Sequence, residues 1–262
     1  MTIGSKLCMT SVADITSTTE EFDESAAFSE EAAKGYDEGV QKDFETYPCM
    51  KSTFTNYIQL VKSSVTSQQP LTLLDIGCGP ANSFEFYATN KDTKAAVSTA
   101  SIIAIEPSQQ MRQLAVARLD RLKSAGSIGN FALLEGTFES VMESNSKVAT
   151  GSVNGATCNF VVHLYSLAQL VPFLTLVTST IADNGVLYLS WWEGEEGKSL
   201  GGDSEASSCN RTFIYHSRPN IVETAAAAGL SHLPEMDEEG VYNMEGMEMP
   251  MGFGFFTKKS KA

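Results

Sequence analysis

Hydrophobic residues follow two different patterns along this chain, and the first pattern covers its N-terminal part. In residues 25–65 apolar side chains recur about every four positions, as at Tyr36 and Val40. This spacing predicts amphipathic helices, interrupted at Pro48. Residues 1–24 are rich in Ser, Thr and acidic residues, and we predict a flexible tail there.

The second pattern begins at residue 70, where short apolar runs alternate with segments of helical periodicity. The runs that predict buried strands are residues 71–77, 101–107, 131–136, 157–166 and 185–192. One helix between them has Ser108 as its predicted N-cap and Gly126 as its stop. This alternation predicts an α/β fold with a parallel sheet covered on both faces.

The last part of the chain shows a different composition. Residues 193–209 are rich in Gly, Ser and Glu and predict a mobile loop. A helix at 220–230, a Met-rich segment at 236–251 and a closing strand at 252–259 follow.

Composition and charge narrow the classes of protein. The chain has 262 residues, of which 42% are hydrophobic, enough for a sizeable core. Its net charge of −14 disfavours nucleic acid as a partner, and no apolar run approaches the ~18 residues that span a bilayer. The five cysteines are widely spaced, which predicts neither a disulfide framework nor a metal site. With no basic leader pattern at the N-terminus, we expect a cytoplasmic protein.

The sharpest motif is LTLLDIGCGPANSF, residues 71–84. Asp75 ends an apolar strand, and Gly77 and Gly79 allow the backbone to pass close to a ligand. A dinucleotide fingerprint would need Gly or Ala where this chain has Asn82, and it would not require Asp75. A nicotinamide-dependent oxidoreductase is therefore the weaker alternative.

Residues 28–256 resemble the class I S-adenosylmethionine-dependent methyltransferases in the order of their elements and motifs. The resemblance implies that the acid and glycines of residues 75–80 surround the methionine part of the cofactor, and that Glu106 accepts hydrogen bonds from its ribose. The resemblance of IEPSQQM to the family's second motif implies that Met111 lies against adenine, and that of HLYSL to its fourth motif implies that this segment faces the sulfonium and the substrate. The implied cofactor-binding residues are Tyr36, Asp75, Gly77, Cys78, Gly79, Glu106, Pro107, Met111, Gly136, Thr137, Phe138 and His163.

The same resemblance implies a Rossmann-like, seven-stranded, mostly parallel sheet with an N-terminal helical cap. We expect one methyltransferase domain over residues 25–262. Its parts would be the helical cap at 25–66, a cofactor-binding core at 70–192, and a substrate-side loop with closing strands at 193–262.

Purely structural roles remain open for several of these residues. Cys78 is more often a packing residue of such a turn than a reactive thiol, and Tyr36 packs equally well against the sheet. Thr137 and Phe138 fit ordinary loop and core positions.

The candidates for a proton acceptor or substrate anchor are His163, Tyr165 and His216, although His163 fits a packing role and His216 a position beside a helix start. Trp192 and Arg211 are the predicted substrate-binding residues, since an indole ring holds apolar or cationic groups and a guanidinium holds anions. We expect no metal.

The resemblance implies methyl transfer from S-adenosylmethionine to an N, O or S atom of a small-molecule acceptor, with S-adenosylhomocysteine as the product. We expect no nucleic acid or membrane partner, and a monomer or homodimer. A non-catalytic S-adenosylmethionine-binding scaffold and a protein methyltransferase remain alternatives.

Overall fold

The computed structural model describes residues 29–46, 48–65, 70–144, 147–200, 213–244 and 247–258. The predicted tail at 1–24, Phe28 and Arg211 lie outside these ranges.

Helices and strands alternate through the middle of the chain, as the sequence predicts. The helices are α1 (Glu30–Thr46), α2 (Pro48–Ser64), α3 (Asn82–Thr89), α4 (Lys94–Val97), α5 (Gln109–Ser124), α6 (Phe138–Ser144), α7 (Leu167–Thr180) and α8 (Arg218–Ala227). The strands are β1 (Thr72–Ile76), β2 (Ser101–Glu106), β3 (Phe131–Glu135), β4 (Val153–Asn159), β5 (Ile181–Trp192), β6 (Ser199–Leu200), β7 (Phe213–Ile214), β8 (Leu230–His232), β9 (Glu238–Met244) and β10 (Met247–Lys258).

The central sheet has the order β3-β2-β1-β4-β5-β10-β8, and β9 pairs with β10. The first five strands are parallel, whereas β10 is antiparallel to β5, β8 and β9. The α/β class and the mostly parallel sheet are confirmed, but the prediction of seven strands is wrong, because the described residues contribute eight strands to this sheet. The additional strand is β9, which shares one edge of β10 with β8.

Two apolar layers cover the sheet. On one face, α2, α3 and α5 pack through residues such as Phe54, Phe84 and Leu119. On the other face, α6, α7 and α8 pack through residues such as Phe138 and Leu170. The predicted N-cap is confirmed, since the Ser108 hydroxyl accepts a bond from the backbone of α5.

The fourth strand lies earlier in the chain than predicted. The expected range was 157–166, whereas β4 begins at Val153 and ends at Asn159. It ends there because Phe160 adopts a φ of +48°, and a 3-10 turn, Val162–Leu164, follows. The start was missed because Gly155 is a poor strand former, but only a glycine fits there: a Cβ would lie 2.5 Å from the Tyr57 hydroxyl.

The described part of the predicted mobile loop, residues 193–200, forms a turn that leads into a short two-stranded ladder between β6 and β7. None of the helices in the described ranges combines the length and the apolar character needed to cross a bilayer.

Candidate functional site

A cavity of about 380 Å³ opens where the parallel strands end, which is where ligands bind in open α/β sheets. Every predicted cofactor-binding residue lines it, from Tyr36 on α1 to His163 beyond β4, and so do Tyr165 and Trp192. The fold therefore brings these residues together, while their contact with a cofactor stays a prediction.

The glycine turn between β1 and α3 forms the floor of this cavity. Gly77 and Gly79 have φ values of +65° and +53°, conformations that side chains rarely tolerate. A Cβ on Gly77 would lie 2.5 Å from the Val161 methyl carbon, so this position also has no room for one. Burial raises the pKa of the Cys78 thiol, which leaves it protonated and favours a packing role over that of a nucleophile.

Glu106, at the end of β2, is buried and holds the glycine turn. One carboxylate oxygen accepts a 2.9 Å bond from the Gly79 amide, and the other accepts a 2.9 Å bond from the Ser108 amide. Each oxygen of a carboxylate can accept more than one hydrogen bond.

Asp75 lies at the end of the neighbouring strand β1 and is also buried. It accepts bonds from the hydroxyls of Ser83, at 2.8 Å, and Thr157, at 2.7 Å. Burial raises the pKa of the Asp75 carboxyl to about 6, although both bonds oppose the shift. A cationic ligand group placed beside Asp75 would stabilise the charged form of this carboxyl.

A mostly apolar wall of the cavity lies at the ends of β2 and β3. Met111 on α5 and Phe138 at the start of α6 are buried there, with Pro107, Gly136 and Thr137 between them. The side chains of Pro107, Met111 and Phe138 give this part of the cavity an apolar surface, which suits a flat ring system.

Asn82 is a site residue that the sequence analysis missed. It begins α3, is only 5% exposed and lines the cavity, and neither its amide nitrogen nor its carbonyl oxygen has a hydrogen-bond partner. A buried, unsatisfied amide is costly and indicates a polar ligand group at this position. The sequence showed Asn82 only as a departure from the dinucleotide fingerprint.

Helix α1 covers the glycine turn because an ion pair holds it there. Arg118 on α5 donates bonds of 2.9 and 3.0 Å to the Asp37 carboxylate, and it also contacts the Pro80 carbonyl. Tyr36, the neighbour of Asp37, then lies over Gly79, with 3.9 Å between its ring and an ideal Cβ at that glycine. Arg118 is therefore a positioning residue for the cap.

His163 lies at the centre of an aromatic wall. Its ring is buried and meets Phe213 edge to face at 4.7 Å and Trp192 at 6.3 Å. Trp192 lines the cavity, whereas its neighbour Trp191 packs into the opposite layer of the core.

Tyr165 touches the cavity with its ring but directs its hydroxyl elsewhere. The hydroxyl donates to Glu139 on α6 at 3.1 Å, and the ring stacks on Phe173 at 4.5 Å. A role in proton transfer would require this hydroxyl to leave Glu139.

His216, predicted as a catalytic candidate, does not line the cavity. Its ring is fully buried, with Nδ1 2.9 Å from a Glu196 carboxylate oxygen and Nε2 near the carbonyls of Val162 and Tyr165. Since Glu196 also accepts a bond from the Ser217 amide, His216 links the start of α8 to the turn after β4. Arg211, the other predicted substrate residue in this region, lies outside the described residues.

Solved structures that share this fold include three methyltransferases. One from Methanosarcina mazei is 14% identical, with a TM-score of 0.54 over 77% of this chain and 97% of the other. The 1,6-didemethyltoxoflavin-N1-methyltransferase of Burkholderia thailandensis was solved with bound 1,6-didemethyltoxoflavin and S-adenosylhomocysteine. It is 14% identical, with a TM-score of 0.51 over 87% of this chain and 91% of the other. The magnesium protoporphyrin IX methyltransferase of Synechocystis, solved with S-adenosylhomocysteine, is 14% identical, with a TM-score of 0.52 over 84% of this chain and 87% of the other.

By sequence, no family model and no curated protein matches the chain. The structural likeness shows that this chain has the methyltransferase fold.

Proposed function

We propose that this protein transfers a methyl group from S-adenosylmethionine to an N, O or S atom of a small-molecule acceptor. The observation that carries the proposal is the pair of buried carboxyls, Asp75 and Glu106, at adjacent strand ends on either side of the glycine turn. They lie in one cavity of a fold that the solved methyltransferases share.

The residues present fit this cofactor. The raised pKa of Asp75 favours a cationic ligand, which suits the amino group of the methionine part. The unsatisfied amide of Asn82 offers both a donor and an acceptor nearby. Glu106 has acceptor capacity for ribose hydroxyls, and Met111 and Phe138 offer apolar surface to a purine ring.

When bound, the cofactor supplies a methyl group already activated by positive sulfur. The protein then has to align the acceptor with that methyl group and exclude water. In our proposal Phe160 and Trp192, whose rings lie 4.7 Å apart, form the water-excluding wall. His163, beside this wall, takes up the proton of the acceptor on an imidazole nitrogen.

Product formation separates this function from a non-catalytic scaffold. We would incubate the protein with S-adenosylmethionine and a panel of small N-, O- and S-nucleophiles, and measure S-adenosylhomocysteine and methylated products by mass spectrometry. We expect acceptor-dependent release of S-adenosylhomocysteine. Tight cofactor binding without turnover of any acceptor would favour the scaffold, and methylation of basic peptides alone would favour a protein substrate.

Release of the α1 cap should weaken cofactor binding. In Arg118→Gln the ion pair to Asp37 is lost, and since hydrogen bonds to charged groups contribute about 1.5–3 kcal/mol, we expect α1 to open. Part of the binding free energy of S-adenosylhomocysteine is then spent on closing α1 over the glycine turn. The Kd for this ligand should therefore rise by up to about tenfold. Hydrogen exchange over residues 30–46 and calorimetry measure the two effects.

Arg121→Gln on the same helix is the matched control, because Arg121 is exposed and contacts only Glu85 among the described residues. Unchanged exchange and unchanged affinity in Arg118→Gln would show that the ion pair does not position the cap.

A further inference from the structure

The cavity has two halves with different chemistry. The half at the ends of β1, β2 and β3 carries Asp75, Glu106 and the glycine turn. The half beside β4, β5 and β10 is walled by rings and methionines, and we call it the aromatic compartment. It consists of Phe54, Phe160, Trp192, Phe213, Tyr242 and Met251.

The hairpin of β9 and β10 builds much of this compartment. In the ladder, Tyr242 lies opposite Met249, and Met251 lies opposite Trp192 of β5. Trp192 and Tyr242 are then 5.7 Å apart, and Trp192 and Phe160 are 4.7 Å apart at 36°. Rings at these distances and angles form a pocket whose best partner is another planar, apolar group.

The charges in the cavity are of one sign. Among the described residues that line it, Asp75 and Glu106 are the only Asp, Glu, Lys or Arg side chains. A carboxylate or phosphate that enters the aromatic compartment loses its hydration and finds no Lys or Arg among the described residues of the lining. A neutral ring avoids this cost, and a cationic group gains from the aromatic faces.

We infer, on the basis of the proposed methyl transfer, that the acceptor is a planar, apolar, ring-bearing small molecule that is neutral or cationic and bears no carboxylate or phosphate. Its ring lies in the aromatic compartment, and its nucleophilic atom points toward the half that carries Asp75 and Glu106.

Three probes with one ring system and different charges test this inference. We would titrate 2-naphthol, 2-(aminomethyl)naphthalene and 2-naphthoate into the protein, with and without saturating S-adenosylhomocysteine, and measure Kd by calorimetry. We expect the neutral and the cationic naphthalene to bind, and the anionic one to bind about tenfold more weakly or not at all.

Substitutions in the aromatic compartment test whether the naphthalene probes bind there. Trp192→Ala should weaken the binding of 2-naphthol by about tenfold, the effect of one aromatic contact in a buried pocket. Tyr242→Ala, on the partly exposed hairpin, serves as a second variant if the first does not fold. Phe131→Ala, at the opposite end of the sheet and outside the cavity, is the matched control and should leave the affinity unchanged.

The outcomes separate this inference from the proposed function. If 2-naphthoate binds as tightly as 2-naphthol, or if no naphthalene binds, the inference is overturned. If naphthalenes bind as expected but S-adenosylhomocysteine does not, the inference about the compartment's ligand class survives and the proposed function fails.

Discussion

Glu106→Ala should bind S-adenosylhomocysteine about 10- to 150-fold more weakly than the wild-type protein, which is about 1.5–3 kcal/mol for hydrogen bonds to a charged group. Two effects add. The variant loses the carboxylate that we propose accepts from the ribose hydroxyls, and it also leaves the amides of Gly79 and Ser108 without their buried acceptor. Calorimetry at fixed pH measures the change in Kd.

Glu135→Ala is the matched control for this variant. Glu135 ends the neighbouring strand β3, but its side chain is exposed and lies outside the cavity. We expect its affinity to stay close to that of the wild type. A Glu106→Ala protein that is folded by circular dichroism and retains the wild-type Kd would refute the role of Glu106.

Asp75→Asn should make the protein more stable above pH 6 and at the same time weaken its affinity for the cofactor. The pKa of Asp75 is about 6 in the folded protein, against an ordinary value of 3.8, because burial disfavours the charged form. Between these pH values the folded state holds more protons than the unfolded state, so the free energy of unfolding falls as pH rises. The loss levels off about one pH unit above the pKa of Asp75 and amounts to about 3 kcal/mol for a shift of this size.

Asparagine at this position carries no charge, so the free energy of unfolding of the variant does not fall with rising pH in this way. The carbonyl of the substituted side chain can still accept from Thr157, and its amide can donate to Ser83. Urea unfolding of both proteins at pH values from about 4 to about 7.5 should show a difference in free energy that is small at the acidic end, grows as the pH approaches the pKa of Asp75 and levels off above it. Asp92→Asn, at an exposed position, should show no such growth. A constant difference for Asp75→Asn would contradict the raised pKa.

The positions of the two acidic residues were predictable because each lies at or next to the end of an apolar strand, a pattern visible within a few neighbouring positions, whereas the roles proposed for them come from the family resemblance. The glycine turn was predictable for the same reason, since Gly77 and Gly79 stand between a strand and a helix. Local sequence order carries information of this kind.

The contacts that the sequence did not predict join distant segments. Arg118 meets Asp37 across 81 positions, and His216 meets the turn after β4 across more than 50. Strand β9 was missed because EEGVYNM shows no clear alternation of apolar and polar residues; it becomes a strand by pairing with β10. Tertiary pairing determines such strands more than propensity does.

The most direct test of methyl transfer as the function of this cavity is a calorimetric titration of the wild-type protein with S-adenosylmethionine, S-adenosylhomocysteine and NAD. We predict saturable binding of the first two at one site and none of NAD. Binding of NAD alone would contradict the account, and so would the absence of binding by all three.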